Sequence, residues 1–117
     1  LGLENHFLKI LNQKHTNKVI TLSKKTLKLE IEGDGSITKE KNIAIGIMTA
    51  DCAPIFIYDS DSTFICCLHS GWKGCLLNIV DSAYKKIKKI QKNNKKIYAI
   101  IGPCLNKKNF EVEQDFK

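Results

Sequence analysis

Three residues able to bind a metal or to drive nucleophilic chemistry stand beside turn-forming residues: His15 in QKH (residues 13–15), Cys52 in TADC (residues 49–52) and His69 in HSGWKG (residues 69–74). Cys52 and His69 are 69 − 52 = 17 residues apart. Each is expected at the tip of an apolar strand, and two such strands lying side by side bring both tips to one edge of a sheet, where open α/β sheets place ligands. A thiolate and an imidazole there make either a nucleophile and its base or two metal ligands. With His15 added, two imidazoles and one thiolate form a donor set suited to catalytic zinc, with a fourth position left for water.

The neighbouring residues add charge and anion-binding potential. Asp51 shares the strand tip with Cys52. In HSGWKG, Gly71 and Gly74 flank Trp72 and Lys73 where a strand hands over to a helix, a place where backbone amides bind anions and where Lys73 would supply a point charge for phosphate. The bland alternative is a glycine turn around a buried Trp72. Cys66 and Cys67 sit inside an apolar run and read as core, as does Cys75, whereas Cys104 after Gly102-Pro103 is expected near the same sheet edge.

Positioning these residues requires a set of short elements. NHFLKILNQ (5–13) reads as a short helix with Phe7, Leu8 and Leu11 on one side, and VITL (19–22) and LKLEI (27–31) as strands. EGDGSIT reads as a tight turn into a strand, with Gly33 and Gly35 free to take positive φ. NIAIGIMTAD (42–51), PIFIYD (54–59), TFICCLH (63–69) and IYAIIGP (97–103) read as apolar strands, the last two buried, with Pro54 favouring extended backbone at Ala53. Between Cys75 and Gln91 the residues Leu76, Ile79, Val80, Ala83, Ile87 and Ile90 recur at helical spacing, with Lys85, Lys86, Lys88 and Lys89 mostly elsewhere on the wheel. GWKG before them reads as a turn. Strand, helix, strand in that order is a βαβ-like unit, so the fold class is α/β or α+β with mixed sheets and flanking helices.

The 117 residues make one domain at most, and both ends read as cut: the chain begins at Leu1 and stops within NFEVEQDFK. No apolar run approaches the roughly 20 residues that cross a bilayer. An odd count of five cysteines does not suggest a disulfide framework, so a reducing cytoplasm is expected. The net charge of +7 comes from 19 lysines and no arginine against 12 acids. Without arginine forks, and without aromatics interleaved among the lysines, a nucleic-acid partner is not expected, and the lysines read as solvated surface.

Taken in order, QKH, GDGSIT (33–38), TADC, HSGWKG and IGPC followed by FEV (110–112) resemble the bacterial laccase-domain family, also called polyphenol oxidase-like and reassigned as purine nucleoside phosphorylases. The likeness runs from about residue 12 to the end of the chain. It implies a laccase-type single-domain α/β fold about twice this length, incomplete here at both ends, so that residues 1–117 form a partial domain. It also implies a zinc site made by His15, Cys52 and His69, with copper as the alternative metal. The implied activities are phosphorolysis of adenosine, inosine and methylthioadenosine by inorganic phosphate, and hydrolytic deamination of adenosine. Asp34 and Asp51 are then expected to orient or stabilise reacting groups and Lys73 to hold phosphate. Two positions depart from the family pattern: Lys73 stands where arginine is usual, and Thr16 where glycine commonly follows the first histidine. The older family name implies a copper polyphenol oxidase instead, but three histidines are too few for several coppers. A non-catalytic partner-binding domain is the remaining alternative; for it Cys52 would be dispensable.

Overall fold

Two apolar helical and strand patterns meet across one main sheet. The computed structural model describes residues 8–91 and 95–111. In chain order the elements are β1 (Leu8–Ile10), β2 (Val19–Thr21), β3 (Gly35–Thr38), β4 (Ala44–Gly46), β5 (Ala53–Asp59), β6 (Ile65–Ser70), α1 (Trp72–Leu76), α2 (Ile79–Ile90) and β7 (Ile97–Ile101), with single 3-10 turns at Lys24–Thr26 and Lys107–Asn109. The main sheet has the order β2-β3-β6-β5-β7, and β1 pairs with β4 in a separate two-stranded sheet. Only the β2–β3 and β1–β4 pairs are parallel. Mixed sheets with a flanking helix make this an α/β fold of the expected kind.

The strands alternate because side chains two apart share a face. Val19, Ile37, Ile55, Ile57, Cys66 and Leu68 pack with Phe64 against Ile79, Ala83 and Ile87 of α2, and Ile90 and Ile97 close the margin of this core. Both β6 and β7 run antiparallel to β5, which lies between them, so β6, the helices and β7 form a parallel crossover that skips one strand. The βαβ-like unit is present with β5 as its filling.

Several local expectations are corrected. The residues expected to form a helix at 5–13 contain β1, whose partner is β4, and Leu8 and Ile10 are exposed while Leu11 is buried; Phe7 lies outside the described residues. A nine-residue helix is marginal alone, and backbone pairing with Ala44–Gly46 takes the segment instead. LKLEI forms no strand; the chain turns after Lys24–Thr26, and pairing resumes only as an isolated bridge of Glu32 with Asn12. Of NIAIGIMTAD only Ala44–Gly46 is strand.

The glycines of EGDGSIT serve space rather than positive φ. A Cβ on Gly35 would lie 2.6 Å from Leu68 Cδ2 and 2.9 Å from Val19 Cγ2, so three strands close at that point only around glycine. GWKG is not a turn but the start of α1. The single helix expected from Cys75 is broken by Asn78, which takes a left-handed φ of 56° between α1 and α2. That break rotates the apolar stripe: Ile79, Ala83 and Ile87 face the sheet, whereas Leu76 is 73% and Val80 48% exposed. Cys75, expected in the core, is exposed, Trp72, expected buried, is 44% exposed, and β7, expected buried, is an edge strand exposed from Tyr98 to Ile101.

Candidate metal centre

The register of β5 on β6 starts the site. Pro54 pairs with His69 and Ala53 with Ser70, so the entry to β5, where Cys52 stands, abuts the exit of β6. Cys52 therefore begins a strand rather than ending one; the antiparallel pairing still brings it to the edge where His69 leaves. His15 arrives from a third direction, on the turn ahead of β2. Its backbone is left-handed, φ 57°, a conformation that costs a side-chain-bearing residue on the order of 1–2 kcal/mol.

Asp34, fully buried at the start of β3, holds that turn in place. The backbone N–H groups of Lys14 (3.2 Å to both carboxylate oxygens), His15 (2.9 Å) and Thr16 (2.7 Å) donate to it, as does the Thr16 hydroxyl at 2.7 Å. Successive amides around a left-handed residue form a concavity for an anion, and here the anion is part of the protein. The same carboxylate meets His69 Nδ1 at 2.9 Å, and the His69 N–H donates to the Asp34 carbonyl at 2.6 Å. Burial pushes the Asp34 carboxyl up, but the hydrogen bonds from His69, Thr16 and Lys14 outweigh it and hold it at about 2. An ionised Asp34 requires the proton on His69 Nδ1, which leaves Nε2 with the ring's free lone pair for a metal.

The three expected residues are thus brought together. One donor atom each from His15, Cys52 and His69 lies within 4.8 Å of the others. The two imidazoles meet edge to face with centroids 4.8 Å apart. Tetrahedral zinc, with bonds of about 2.0–2.3 Å, sets its donors roughly 3.3–3.8 Å apart, so a small inward adjustment closes the set on one ion. Among the described residues this is the one group of three or more metal-ligating side chains so placed. Burial first, and then the charges of Asp51 and Asp34, push the Cys52 thiol up; a cation at this point acts in the opposite sense.

Other expected participants lie at varying remove. Asp51 is exposed with a left-handed φ of 76°, and its carbonyl accepts the Leu105 N–H at 2.9 Å, which draws the segment after β7, with exposed Cys104, toward this edge. Lys73 is exposed on α1 with its ammonium 5.2 Å from the centroid of the Trp72 ring. Thr16, the departure from glycine, is absorbed by its hydroxyl bond to Asp34.

Two residues hold roles here other than those the sequence suggested. Gln13 uses both ends of its carboxamide on the backbone of one residue, donating to the Met48 carbonyl at 2.8 Å and accepting the Met48 N–H at 2.7 Å, and so ties the His15 turn to the loop that leads to Cys52. Its place in QKH was the available signal. The other is Gly71, whose absent side chain faces Cys52 and His15; nothing in the local sequence distinguishes it from a helix-capping glycine.

Known proteins with this pattern share the fold. A family model described as multi-copper polyphenol oxidoreductase laccase matches residues 1–117. A purine nucleoside phosphorylase of Rickettsia conorii is 35% identical over 107 residues, 92% of this chain and 43% of that protein. One of Aquifex aeolicus is 35% identical over 116 residues, 99% of this chain and 53% of that protein. The chain thus spans about half the length of such relatives. Among solved structures, the hypothetical protein YfiH of Bacillus licheniformis superposes with a TM-score of 0.85 at 24% identity, over 97% of this chain and 46% of that one. A Neisseria meningitidis protein superposes with a TM-score of 0.78 at 28% identity, over 92% and 43% of the two chains. On the match of the whole sequence and the shared fold, the chain belongs to the polyphenol oxidoreductase laccase-domain family, whose relatives include proteins named purine nucleoside phosphorylase.

Proposed function

We propose that this chain carries the zinc centre of a purine nucleoside phosphorylase, with His15, Cys52 and His69 as the ligands. The observation that supports it is the convergence of those three donor atoms within 4.8 Å, from three separate segments, with the free nitrogen of His69 fixed by Asp34. The donor set of two imidazoles and a thiolate matches catalytic zinc, and relatives at 35% identity bear the phosphorylase name.

Phosphorolysis joins a phosphate oxygen to the ribose anomeric carbon as the bond to the purine nitrogen breaks, giving ribose 1-phosphate, or its 5-methylthio counterpart from methylthioadenosine, and the free base, which takes up a proton. Adenosine, inosine and methylthioadenosine are the proposed nucleosides. Deamination of adenosine, which replaces the amino group at C6 by oxygen from water and releases ammonia, is the proposed second activity. Zinc held here supplies a Lewis acid able to activate water near neutral pH. Asp34 keeps the proton on His69 Nδ1 and holds the His15 turn. Lys73, two residues beyond Gly71, supplies positive charge for phosphate, as a single ammonium rather than a bidentate fork. Asp51, next to Cys52, orients polar groups of the substrate at the exposed side.

The test uses the full-length protein purified without added metal: elemental analysis, then adenosine with and without phosphate and chromatography of the products. About one zinc per chain is expected, with adenine formed only when phosphate is present and inosine formed in both cases. Cys52→Ala is expected to lose the metal and both reactions. No metal and no turnover would sink the reading. A single copper is the second reading, favoured by the family's description and by donors that also suit that metal; the same elemental analysis separates the two.

A further inference from the structure

We propose that Gly71 is a positioning residue of the metal centre: its missing side chain is the space in which Cys52 Sγ and the His15 ring meet, and any other residue type there holds the ligands apart. The inference rests on the metal reading of the trio. A Cβ built on Gly71 would stand 2.9 Å from Cys52 Sγ, 3.1 Å from His15 Cδ2 and 3.8 Å from His15 Nε2. The first two lie inside the roughly 3.5–4.0 Å at which non-bonded atoms rest in contact.

The backbone does not explain the glycine. Gly71 has φ −76° and ψ 177°, ordinary extended values open to every residue, so alanine is excluded by space alone. Nor can the neighbours retreat without consequence. Cys52 has a single side-chain torsion to Sγ, and turning it away from a Gly71 Cβ removes the sulfur from the point shared with the two imidazoles. The His15 turn is fastened by the Asp34 carboxylate through three consecutive amides and one hydroxyl. Gly74, one turn on, lies close to backbone of the same two segments but less tightly: its Cβ would lie 3.3 Å from the Thr16 carbonyl oxygen and 3.5 Å from that of His69. The start of α1 is therefore packed into the angle between the two histidine-bearing segments, and Gly71 is where that packing reaches the ligands. Gly46, by contrast, would meet side-chain carbons no nearer than 3.4 Å and serves as a control.

The experiment compares the full-length protein with its Gly71→Ala and Gly46→Ala variants by titration with Co2+ and Zn2+. It reads the thiolate-to-cobalt absorption band and the zinc affinity in competition with a chelating dye. Gly71→Ala is expected to lose or strongly weaken the band and to bind zinc about 10- to 100-fold more weakly, the range typical of residues that orient ligands without binding; Gly46→Ala is expected to match the parent. An unchanged band and affinity in Gly71→Ala would overturn the proposal. Because crowding also affects folding, urea stability of the metal-free protein is measured in parallel, with Gly71→Ala made both alone and in a Cys52→Ala background. Removing Sγ is expected to relieve part of the cost of the new methyl, and strictly additive costs would likewise overturn it. A parent protein that binds neither metal would overturn the metal reading instead, and the coupling between positions 71 and 52 would then judge the packing by itself.

Discussion

Asp34 joins two of the three ligand-bearing segments, the His15 turn and the end of β6 at His69, through one carboxylate. It receives the amides of Lys14, His15 and Thr16, the Thr16 hydroxyl and the ring of His69, and is itself fully buried. Asparagine has the same shape but offers one acceptor and turns an NH2 toward these donors. Asp34→Asn is therefore expected to destabilise the protein by about 3 kcal/mol, by leaving buried donors unpaired, and to weaken metal binding by freeing both histidines. A urea midpoint and a zinc titration check the two effects. The folded carboxyl sits at about 2, against an ordinary 3.8. A depressed carboxylate stabilises the fold at pH above its unfolded value and loses that contribution as pH falls through the folded one. In the metal-free protein the urea midpoint should accordingly fall between about pH 4 and about pH 2, and Asp34→Asn should flatten that acid limb. Asp59 adds to the same limb: burial pushes it up, but the Thr63 hydroxyl and amide, with Lys95 nearby, bring it below its usual range.

At the scale of the element, the break at Asn78 decides which side of the helix packs. A continuous helix from Cys75 would carry Leu76 and Val80 inward; the left-handed Asn78 resets the rotation so that Ile79, Ala83 and Ile87 meet the sheet. Ile87→Ala is expected to cost about 2–4 kcal/mol, the range for removing a buried branched side chain. Val80→Ser, at a position 48% exposed, is expected to stay within about 0.5 kcal/mol. Urea denaturation of both variants discriminates between the two helix rotations, since the uninterrupted stripe predicts losses at both sites.

For the whole molecule, apolar side chains stand uncovered on two faces: among the described residues Phe56, Tyr98 and Ile100 are exposed on the outer side of β5 and β7, and Leu76, Leu77, Val80 and Tyr84 along the helices. β7 is also an edge strand, with a row of backbone groups open to pairing. The 117-residue chain alone is therefore expected to self-associate, and Ile100→Lys, which puts a charge on an edge position already 52% exposed, to shift its sedimentation toward monomer. Unchanged association in that variant would place the contact elsewhere.

The sequence by itself determined the fold class, the strands at VITL, PIFIYD, TFICCLH and IYAIIGP, and the identity of the trio, because alternation, helical spacing and donor chemistry are properties of residue types and their order. It could not place β1, whose three residues take their state from β4, some 36 positions away (8 to 44), nor the left-handed break at His15, held by Asp34 from a distant segment, nor that at Asn78 inside a continuous helical pattern. Only the tertiary structure decided why glycine stands at positions 35 and 71. At both, an ordinary backbone is crossed at close range by another segment, and that proximity exists only after three parts of the chain have packed together.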